Sequence, residues 1–399
     1  MSNNLKPRIR FKGFTDAWKQ RKFEKIFEYE RPDKYIVSSD EYVEISKVPV
    51  LTANKAFILG YTLENKTYTK EKESIIFDDF TLDTKFVDFP YMVKSSAIKI
   101  LTLRDKSTDN LRFNYELLSN TKFNMLGHAR HYISVVQPEE VYTTQKAEQD
   151  KMADLFSNLD NLITLHQHKY EKLVNMKKSL LEKMFPKNNS NIPEIRFKGF
   201  TDVWEQRILS ECATFRRGSF PQPYGKSEWY DGIGAMPFVQ VADVGNDMRL
   251  IDETKQRISK IAQPMSVFVP KDSVIVTLQG TIGRVAITQY NAYLDRTVLY
   301  FDSYKNSISK NFWSYIIKNK FLEEAKSAPG GTIKTITKEV LSKFDLKLPQ
   351  ELDEQNKIGE CFKQIDSLIT LHQRKHDKLI KIKQALLKNM FVQKGVKYE

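Results

Sequence analysis

Two stretches of closely similar sequence decide the fold of this 399-residue chain. Residues 148–185 read EQDKMADLFSNLDNLITLHQHKYEKLVNMKKSLLEKMF, and residues 354–391 read EQNKIGECFKQIDSLITLHQRKHDKLIKIKQALLKNMF. Apolar residues alternate steps of four and three through both stretches, which is the heptad seam of a coiled coil. At about 1.5 Å per residue, each stretch predicts a helix roughly 57 Å long.

Two such seams in one chain most simply bury each other. The connectivity permits parallel and antiparallel pairing, and we favour the antiparallel arrangement because a duplicated chain then forms a pseudo-twofold molecule. The predicted core of the helix pair consists of seam residues from both stretches: Phe156, Leu159, Ile163, His166, Leu173, Leu180, Phe362, Ile365, Ile369, His372, Leu379 and Leu386.

Histidines occupy the midpoints of the two seams. We hypothesise that His166 and His372 meet there as a neutral, hydrogen-bonded pair at pH 7, because a polar seam residue fixes helix register. The alternative, that each ring only borders solvent, stays open.

A second repeat precedes each large segment of the chain. Residues 7–23 read PRIRFKGFTDAWKQRKF, and residues 193–209 read PEIRFKGFTDVWEQRIL. The segments that follow, 24–147 and 210–353, show no obvious likeness to each other, and both carry short β-branched and aromatic runs that predict strands. The predicted strands are 74–80, 97–103, 266–270, 273–278 and 297–301, and residues 311–327 predict a helix.

The predicted fold class is therefore α+β. It has two mixed α/β domains separated by a pair of long antiparallel coiled-coil helices, in a pseudo-twofold internal repeat. The order of elements is not a regular βαβα alternation, which argues against a doubly wound sheet. The predicted boundaries are 1–147 for the first domain, 148–185 for the first helix, 186–192 for a linker, 193–353 for the second domain, 354–391 for the second helix and 392–399 for a tail.

The charge balance points to a polyanionic partner without locating its site. The formal net charge is +13 and the sequence pI is about 9.3. Residues 24–147 nevertheless count to −2 and residues 210–353 to +3, so a nucleic-acid face there requires segregated charge. The two cysteines lie far apart, no apolar run approaches a membrane span, and Met1 to Arg10 lacks an apolar signal core. We therefore expect a cytoplasmic protein that does not associate with a membrane.

The repeated motifs resemble a known family. IRFKGFTD-x-W before each variable segment, and EQ…LD-x-LITLHQ-x-K…MF after it, look like the specificity subunit of type I restriction–modification systems. The resemblance covers the whole chain in the right order. It implies two target-recognition domains that each read one half of a bipartite, asymmetric DNA site, and an antiparallel pair of conserved helices.

The same resemblance implies partners that carry the chemistry. Two methyltransferase subunits would bind this chain and methylate adenine at N6 with S-adenosylmethionine, and restriction subunits would join them with ATP and magnesium. The chain itself would hold no cofactor and catalyse nothing. One departure is that Pro349 lies five residues before Glu354, whereas Pro138 lies ten before Glu148, so the first domain-to-helix boundary is less certain.

Base reading in the major groove needs Arg or Lys for guanine and Asn or Gln for adenine, carried on loops or helix ends. Glycine lets a backbone approach a phosphate or a base edge closely. For each single residue, an ordinary turn or surface role is at least as good an interpretation. The candidate DNA-binding residues are Asn54, Lys55, Lys94, Ser95, His128 and Arg130 in the first domain and Gln279, Thr281, Arg284, Thr332 and Lys334 in the second.

Sequence motifs for a catalytic activity of this chain itself are weak. Gly225-Lys226-Ser227 lacks the first glycine of a phosphate-binding loop. Residues 221–224 (PQPY) only faintly resemble the Asn/Asp-Pro-Pro-aromatic motif of methyltransferases that act on amino groups. Acidic residues spaced like a metal nuclease triad are better interpreted as solvated surface charge. They are Asp243 with Glu253 and Lys255, and Asp78 or Asp79 with Asp83 and Lys85. His372 and His376 have zinc-ligand spacing, but both lie on the seam and no third ligand is evident.

Three hypotheses about function follow. The first is a noncatalytic DNA-specificity subunit. The second is a fused methyltransferase or nuclease, and the third is a coiled-coil scaffold with no DNA role, which the charge of residues 24–147 permits. The repeated aromatic residues Phe11, Phe14 and Trp18 have two interpretations, a hydrophobic clasp that tethers each domain to its helix or a docking surface for partners.

Overall fold

A computed structural model describes residues 5–39, 41–44, 48–54, 56–125, 127, 129–187, 190–327 and 338–392. The chain divides into two compact units. The first unit contains residues 1–166 and 375–399, and the second contains residues 167–374. Each unit therefore combines one domain with parts of both long helices.

The first domain is built from short strands and one helix. Its Asn110 side chain caps that helix by accepting a hydrogen bond from the Phe113 amide, a standard way to start a helix. The elements are β1 (Lys19–Lys22), β2 (Phe27–Glu30), β3 (Val48–Leu51), β4 (Ile58–Thr62), β5 (Ser74–Asp78), β6 (Thr84–Val87), β7 (Met92–Val93), β8 (Ile98–Leu103), α1 (Leu111–Asn120) and β9 (Glu140–Thr143), followed by the long helix α2 (Lys146–Lys183).

The second domain repeats this plan with more strands. The elements are β10 (Glu205–Ile208), α3 (Leu209–Cys212), β11 (Ala213–Arg217), β12 (Met236–Val239), β13 (Gln256–Ile258), β14 (Val267–Val269), β15 (Val274–Thr277), β16 (Val285–Ile287), β17 (Ala292–Leu294), β18 (Val298–Tyr304), α4 (Lys310–Ser327), α5 (Lys338–Ser342) and β19 (Asp345–Leu348), followed by the long helix α6 (Leu352–Met390). The predicted strands and the predicted helix at 311–327 are confirmed.

The two domains share a sheet topology that their sequences do not reveal. One antiparallel sheet has the order β2-β8-β5-β6 in the first domain and β11-β18-β15-β16 in the second. A second sheet has the order β4-β3-β7 in one and β13-β12-β17-β14 in the other, with one parallel pair in each, β3 with β7 and β12 with β17. A two-stranded ladder, β1 with β9 or β10 with β19, closes each domain beside its long helix.

The long helices run antiparallel within each unit. In the first unit, Phe156 of α2 packs against Phe391, just past the end of α6, and Asp160 pairs with Lys383. In the second unit, Lys177 of α2 pairs with Asp366 of α6. Residue numbers fall along one helix as they rise along the other, so the antiparallel prediction is confirmed.

The seam is buried at the ends where a domain covers it and half-exposed elsewhere. Phe156, Leu159, Phe362 and Ile365 are buried. The predicted core residues Ile163, Leu173, Leu180, Ile369, Leu379 and Leu386 are half-buried, as are both midpoint histidines, His166 and His372. The pairing of these two histidines stays a prediction.

Both domain-to-helix junctions have the same form. The last strand of the closing ladder is followed by the long helix after only two intervening residues for β9 and three for β19. Pro138 precedes its strand whereas Pro349 follows its strand, which explains their different distances from the helices. Each long helix begins and ends within two residues of the predicted stretch.

Candidate nucleic-acid interface

A buried arginine–glutamate pair fastens each domain to the start of a long helix. Arg10 donates from Nε and Nη2 to the two carboxylate oxygens of Glu148, at 2.7 and 2.8 Å. Arg196 binds Glu354 in the same way, at 2.6 and 2.7 Å. Both glutamate side chains are only 1% exposed. The hydrogen bonds that Arg196 donates to Glu354 raise the pKa of Arg196 above its usual range, so the guanidinium stays charged.

An aromatic cluster backs each of these ion pairs. In the first unit, Phe391 stacks on Phe113 with ring centroids 5.3 Å apart and meets Trp18 edge-on at 6.1 Å. In the second unit, Phe185 stacks on Phe312 at 5.8 Å and meets Trp204 edge-on at 6.0 Å.

Both tryptophans are 1% exposed. They therefore act as the hydrophobic clasp and are not surface docking residues. Phe11 and Phe197 pack against the edges of the same clusters. Phe14 and Phe200 lie under the lysine ammoniums of Lys151 and Lys357, at 5.1 and 4.7 Å.

Several candidate DNA-binding residues of the first domain lie on neighbouring loops. Exposed Asn54 follows β3, and its Oδ1 accepts a hydrogen bond from Thr52. The Lys94 amide donates to the Leu51 carbonyl at 3.1 Å, which joins its loop to the end of β3. Exposed Ser95 caps the same loop by accepting from the Ala97 amide.

Arg130 joins these loops to a concave site. Its guanidinium lies 3.4 Å from the Ser96 carbonyl and 5.7 Å above the Phe80 ring. It also stands 3.8 Å from the Asp79 carboxylate, inside a pocket of about 180 Å³. The residues that line this pocket, called the Lys99 pocket below, are Tyr29, Arg31, Asp79, Lys99, Arg130, Ile133 and Ser134.

In the second domain the candidates lie on the hairpin between β15 and β16. Thr277 organises this hairpin, because its hydroxyl donates to the Thr281 carbonyl and accepts from the Arg284 amide. Gly283 has φ of +78°, and a side chain there would meet Phe321 at 2.8 Å. The hairpin leaves Thr281 exposed and Gln279 half-buried.

Arg284 turns towards the domain. Its Nη1 donates to the Val244 carbonyl at 3.2 Å, and the residue is half-buried. This contact gives Arg284 a structural role in addition to its candidate role in DNA binding. The remaining candidates, Lys55, His128, Thr332 and Lys334, lie outside the described residues.

The weak catalytic motifs have structural explanations. Lys226 pairs with Glu228 in a short 3-10 turn and not at the start of an α-helix. Asp243 is fully buried and accepts hydrogen bonds from the Gln240 and Lys255 amides. Asp78 holds the turn after β5 by accepting from the Phe80 and Thr81 amides.

Within the described part of the chain, no three His, Cys, Asp or Glu side chains form a group that could hold a metal ion. The described helices also include none that is long and apolar enough to cross a membrane.

Sequence reasoning missed the charged centre of the Lys99 pocket. Lys99 and Asp79 form an ion pair at 3.1 Å with side chains only 4% and 3% exposed. The signal in the sequence was a lysine inside the apolar strand run AIKILTL at 97–103, since a lysine at an inward position of a strand needs a partner. Arg31, just after β2, gave no such signal.

Comparison with known proteins agrees with this architecture. The family model described as the type I restriction modification DNA specificity domain matches the chain twice, at residues 15–175 and 202–381. The specificity subunit of a type I restriction enzyme from Escherichia coli is 27% identical over 365 residues, which cover 86% of this chain and 85% of that protein. A putative specificity subunit from Methanocaldococcus jannaschii is 24% identical over 60% of this chain and 55% of its own length.

The fold is also that of a solved structure. The crystal structure of the type I restriction–modification S subunit from M. genitalium superposes with a TM-score of 0.72, and the match covers 98% of this chain and all of that one. Sequence identity in that match is 15%, so it is a likeness of fold.

Proposed function

This chain belongs to the type I restriction–modification DNA specificity family, and from that premise we propose that it reads a bipartite, asymmetric DNA site for partner enzymes. One domain would read each half of the site. The observation that carries the proposal is the identical fastening of two domains whose candidate reading loops differ. Arg10–Glu148 and Arg196–Glu354 repeat. The turns that follow the equivalent strands β5 and β15 differ, because Asp78 organises the first and Thr277 the second.

In this proposal the chain contributes recognition, and its partners contribute catalysis. Methyltransferase subunits with S-adenosylmethionine would modify adenine at N6, and restriction subunits would use ATP and magnesium.

We further propose that two methyltransferase subunits dock on repeated faces of the long helices. Leu162 and Leu165 of α2 are 43% and 45% exposed, and their equivalents Leu368 and Leu371 of α6 are both 44% exposed. Identical partners need identical surfaces, and large exposed apolar side chains repeated at equivalent positions are a feature of such surfaces. Replacing Leu165 or Leu371 with Glu should each lower the count of bound methyltransferase subunits from two to one in native mass spectrometry.

Methylome sequencing tests the main proposal. Cells that express this chain together with type I methyltransferase subunits should carry methylated adenines in one bipartite motif, and cells that express the methyltransferase alone should not. Substitution of Thr281 and Gln279 should relax only one half of that motif, because direct readout is local.

Two results would contradict the proposal. An unchanged methylome, together with DNA binding by the complex that is absent or independent of salt, would favour the scaffold hypothesis. Methyl transfer by the purified chain without partners would favour the fused enzyme.

A further inference from the structure

We propose that the Lys99 pocket binds a phosphate group, and that in the assembled complex this phosphate belongs to the backbone of the DNA that the first domain reads. The inference rests on the proposed function and assigns one site within it. Arg31, Lys99 and Arg130 would hold the phosphate.

The floor of the pocket is a buried, fixed cation. Lys99 projects from β8, and its ammonium lies 3.1 Å from Asp79 Oδ2. Asp79 is held in turn, because its Oδ1 accepts from the Tyr132 amide at 2.8 Å and its carbonyl accepts from the His131 amide at 2.9 Å. The ammonium is therefore positioned by the fold before any ligand arrives, which lowers the cost of binding.

The rim adds positive charge that the pocket does not neutralise. Arg130 stands 3.8 Å from Asp79 on a side chain that is 52% exposed. Arg31 is exposed and forms no ion pair with any described residue. Three cations and a single carboxylate thus line the pocket, in a domain segment whose overall charge is slightly negative. Among the described residues that line the pocket, no second carboxylate balances this excess of positive charge, which therefore attracts an anion.

The donor set fits a phosphate. Guanidinium and ammonium groups bind phosphate oxygens, and the hydroxyls of Tyr29 and Ser134 line the same cavity. The volume of the pocket, about 180 Å³, is several times the roughly 30 Å³ that one water molecule occupies in the liquid. The Asp79 carboxylate is already bound by the Tyr132 amide and the Lys99 ammonium, so the donors left facing the cavity are mainly cationic. Phosphate contacts of this kind position a protein on DNA and carry no sequence information.

Position in the fold connects the pocket to the candidate reading loops. Arg130 donates to the Ser96 carbonyl, and the 94–97 loop is joined to the end of β3 near Asn54. A phosphate held at Arg130 would therefore lie beside loops that could reach the neighbouring base edges.

The experiment uses the complex of the full chain with methyltransferase subunits and a duplex that contains the motif found by methylome sequencing. We compare Arg31→Gln and Arg130→Gln with Lys66→Gln, a control that removes one exposed charge from the same domain outside the pocket. Fluorescence anisotropy is measured on the motif duplex and on a scrambled duplex, from about 50 to 200 mM salt.

Each pocket variant should weaken binding to both duplexes by a similar factor. Each should also reduce the slope of log affinity against log salt by about 0.9, the value for one lost phosphate contact. The control should change neither quantity. In duplexes that carry a single neutral methylphosphonate, one position should weaken binding by the unaltered complex more than it weakens binding by Arg31→Gln, which has already lost one contact to that phosphate.

Other outcomes would overturn the assignment. Relaxed specificity at one base pair in Arg130→Gln would identify a guanine contact. Pocket variants that behave like Lys66→Gln, while the unaltered complex binds DNA, would refute the pocket and leave the proposed function standing. An unaltered complex that binds neither duplex would refute the proposed function itself. If inorganic phosphate raises the Tm of the chain and the Arg31→Gln complex binds DNA normally, the pocket takes a free phosphate instead.

Discussion

Each unit has a cluster of polar side chains between its domain helix and the long helices, and the two clusters differ in their residues. In the first unit, Glu116 and Arg112 of α1 meet Asp160 and Lys383. In the second unit, Tyr315 of α4 meets Asp366, which also pairs with Lys177. The long helices contribute the same aspartate and lysine to both sites, and only the domain helices differ. Each cluster therefore combines side chains from the repeated sequence of the long helices with side chains from the variable sequence of its domain helix.

The substitution of a carboxylate by a phenol changes the electrostatics of the second site. The first site has two cations and two carboxylates, whereas in the second site Lys177 pairs with Asp366, and Lys318 lies near the charges of Lys177, Asp366 and Asp247. Burial, with a contribution from the Lys177 charge, lowers the pKa of Lys318 to about 8. Burial and the neighbouring Asp366 raise the pKa of Tyr315. The domain helix of the second unit thus brings a buried lysine to its site, whereas that of the first unit brings an arginine–glutamate pair.

The largest expected effect tests whether the fastening pairs are equivalent. Glu148→Ala and Glu354→Ala each leave an arginine without its carboxylate in a mostly buried site, which costs about 3–5 kcal/mol of unfolding free energy. Hydrogen-exchange protection in α1 should fall for the first variant and in α4 for the second. Glu205→Ala removes an exposed pair with Arg207 and serves as the control, with an effect below about 1 kcal/mol. Loss of protection in both units from either substitution would contradict the independence of the two fastenings.

A smaller effect should distinguish the two charge clusters. Lys383→Met leaves Glu116 and Asp160 with Arg112 as their cation, and we expect a loss of about 3 kcal/mol in the first unit. Lys177→Met leaves Asp366 bonded to Tyr315 and relieves Lys318, so the loss in the second unit should be about half as large. Chemical denaturation followed by hydrogen exchange measures both losses, and equal losses would show that the different domain-helix side chains have no energetic consequence.

A third effect is a gain in stability, and it depends on pH. Because the folded pKa of Lys318 lies near 8 and the unfolded value near 10.5, the unfolded chain binds more protons between these pH values. The contribution of Lys318 to stability therefore rises with pH from about 8 to 10.5, and its cost is greatest below pH 8. Lys318→Met should raise stability by up to about 3 kcal/mol at pH 7, and the gain should vanish by pH 10.5. A gain that does not depend on pH would assign the effect to packing alone.

Much of the fold could be predicted because its strongest signals are periodic and repeated. The heptad pattern predicted both long helices to within two residues, and the duplicated blocks predicted the internal repeat. The common sheet topology could not be read from the sequence, since β5 and β15 share a buried apolar pattern but few identical residues. Direct comparison of residues 24–147 with 210–353 misses such a likeness of pattern.

The candidate site was predictable only in outline. Glycines marked the hairpin at 279–284, and position before the helix marked Arg130, but no local signal shows that Arg284 bends back to the Val244 carbonyl. Lys99 lies in β8, whereas Asp79 directly follows the neighbouring strand β5 and is 20 residues away in sequence. Their pairing depends on strand register, which a single sequence does not specify.

One pair of backbone hydrogen bonds has a consequence for how the polypeptide can be connected. The Ile9 amide donates to the Asn389 carbonyl at 3.0 Å, and the Ile195 amide donates to the Lys183 carbonyl at 2.9 Å. The second bond joins segments that are continuous in the chain, whereas the first joins the beginning of the described chain to its end. A circular permutant that is spliced across the first junction with a linker of the same sequence as residues 186–192, and opened at the second, should retain every contact described within the two units.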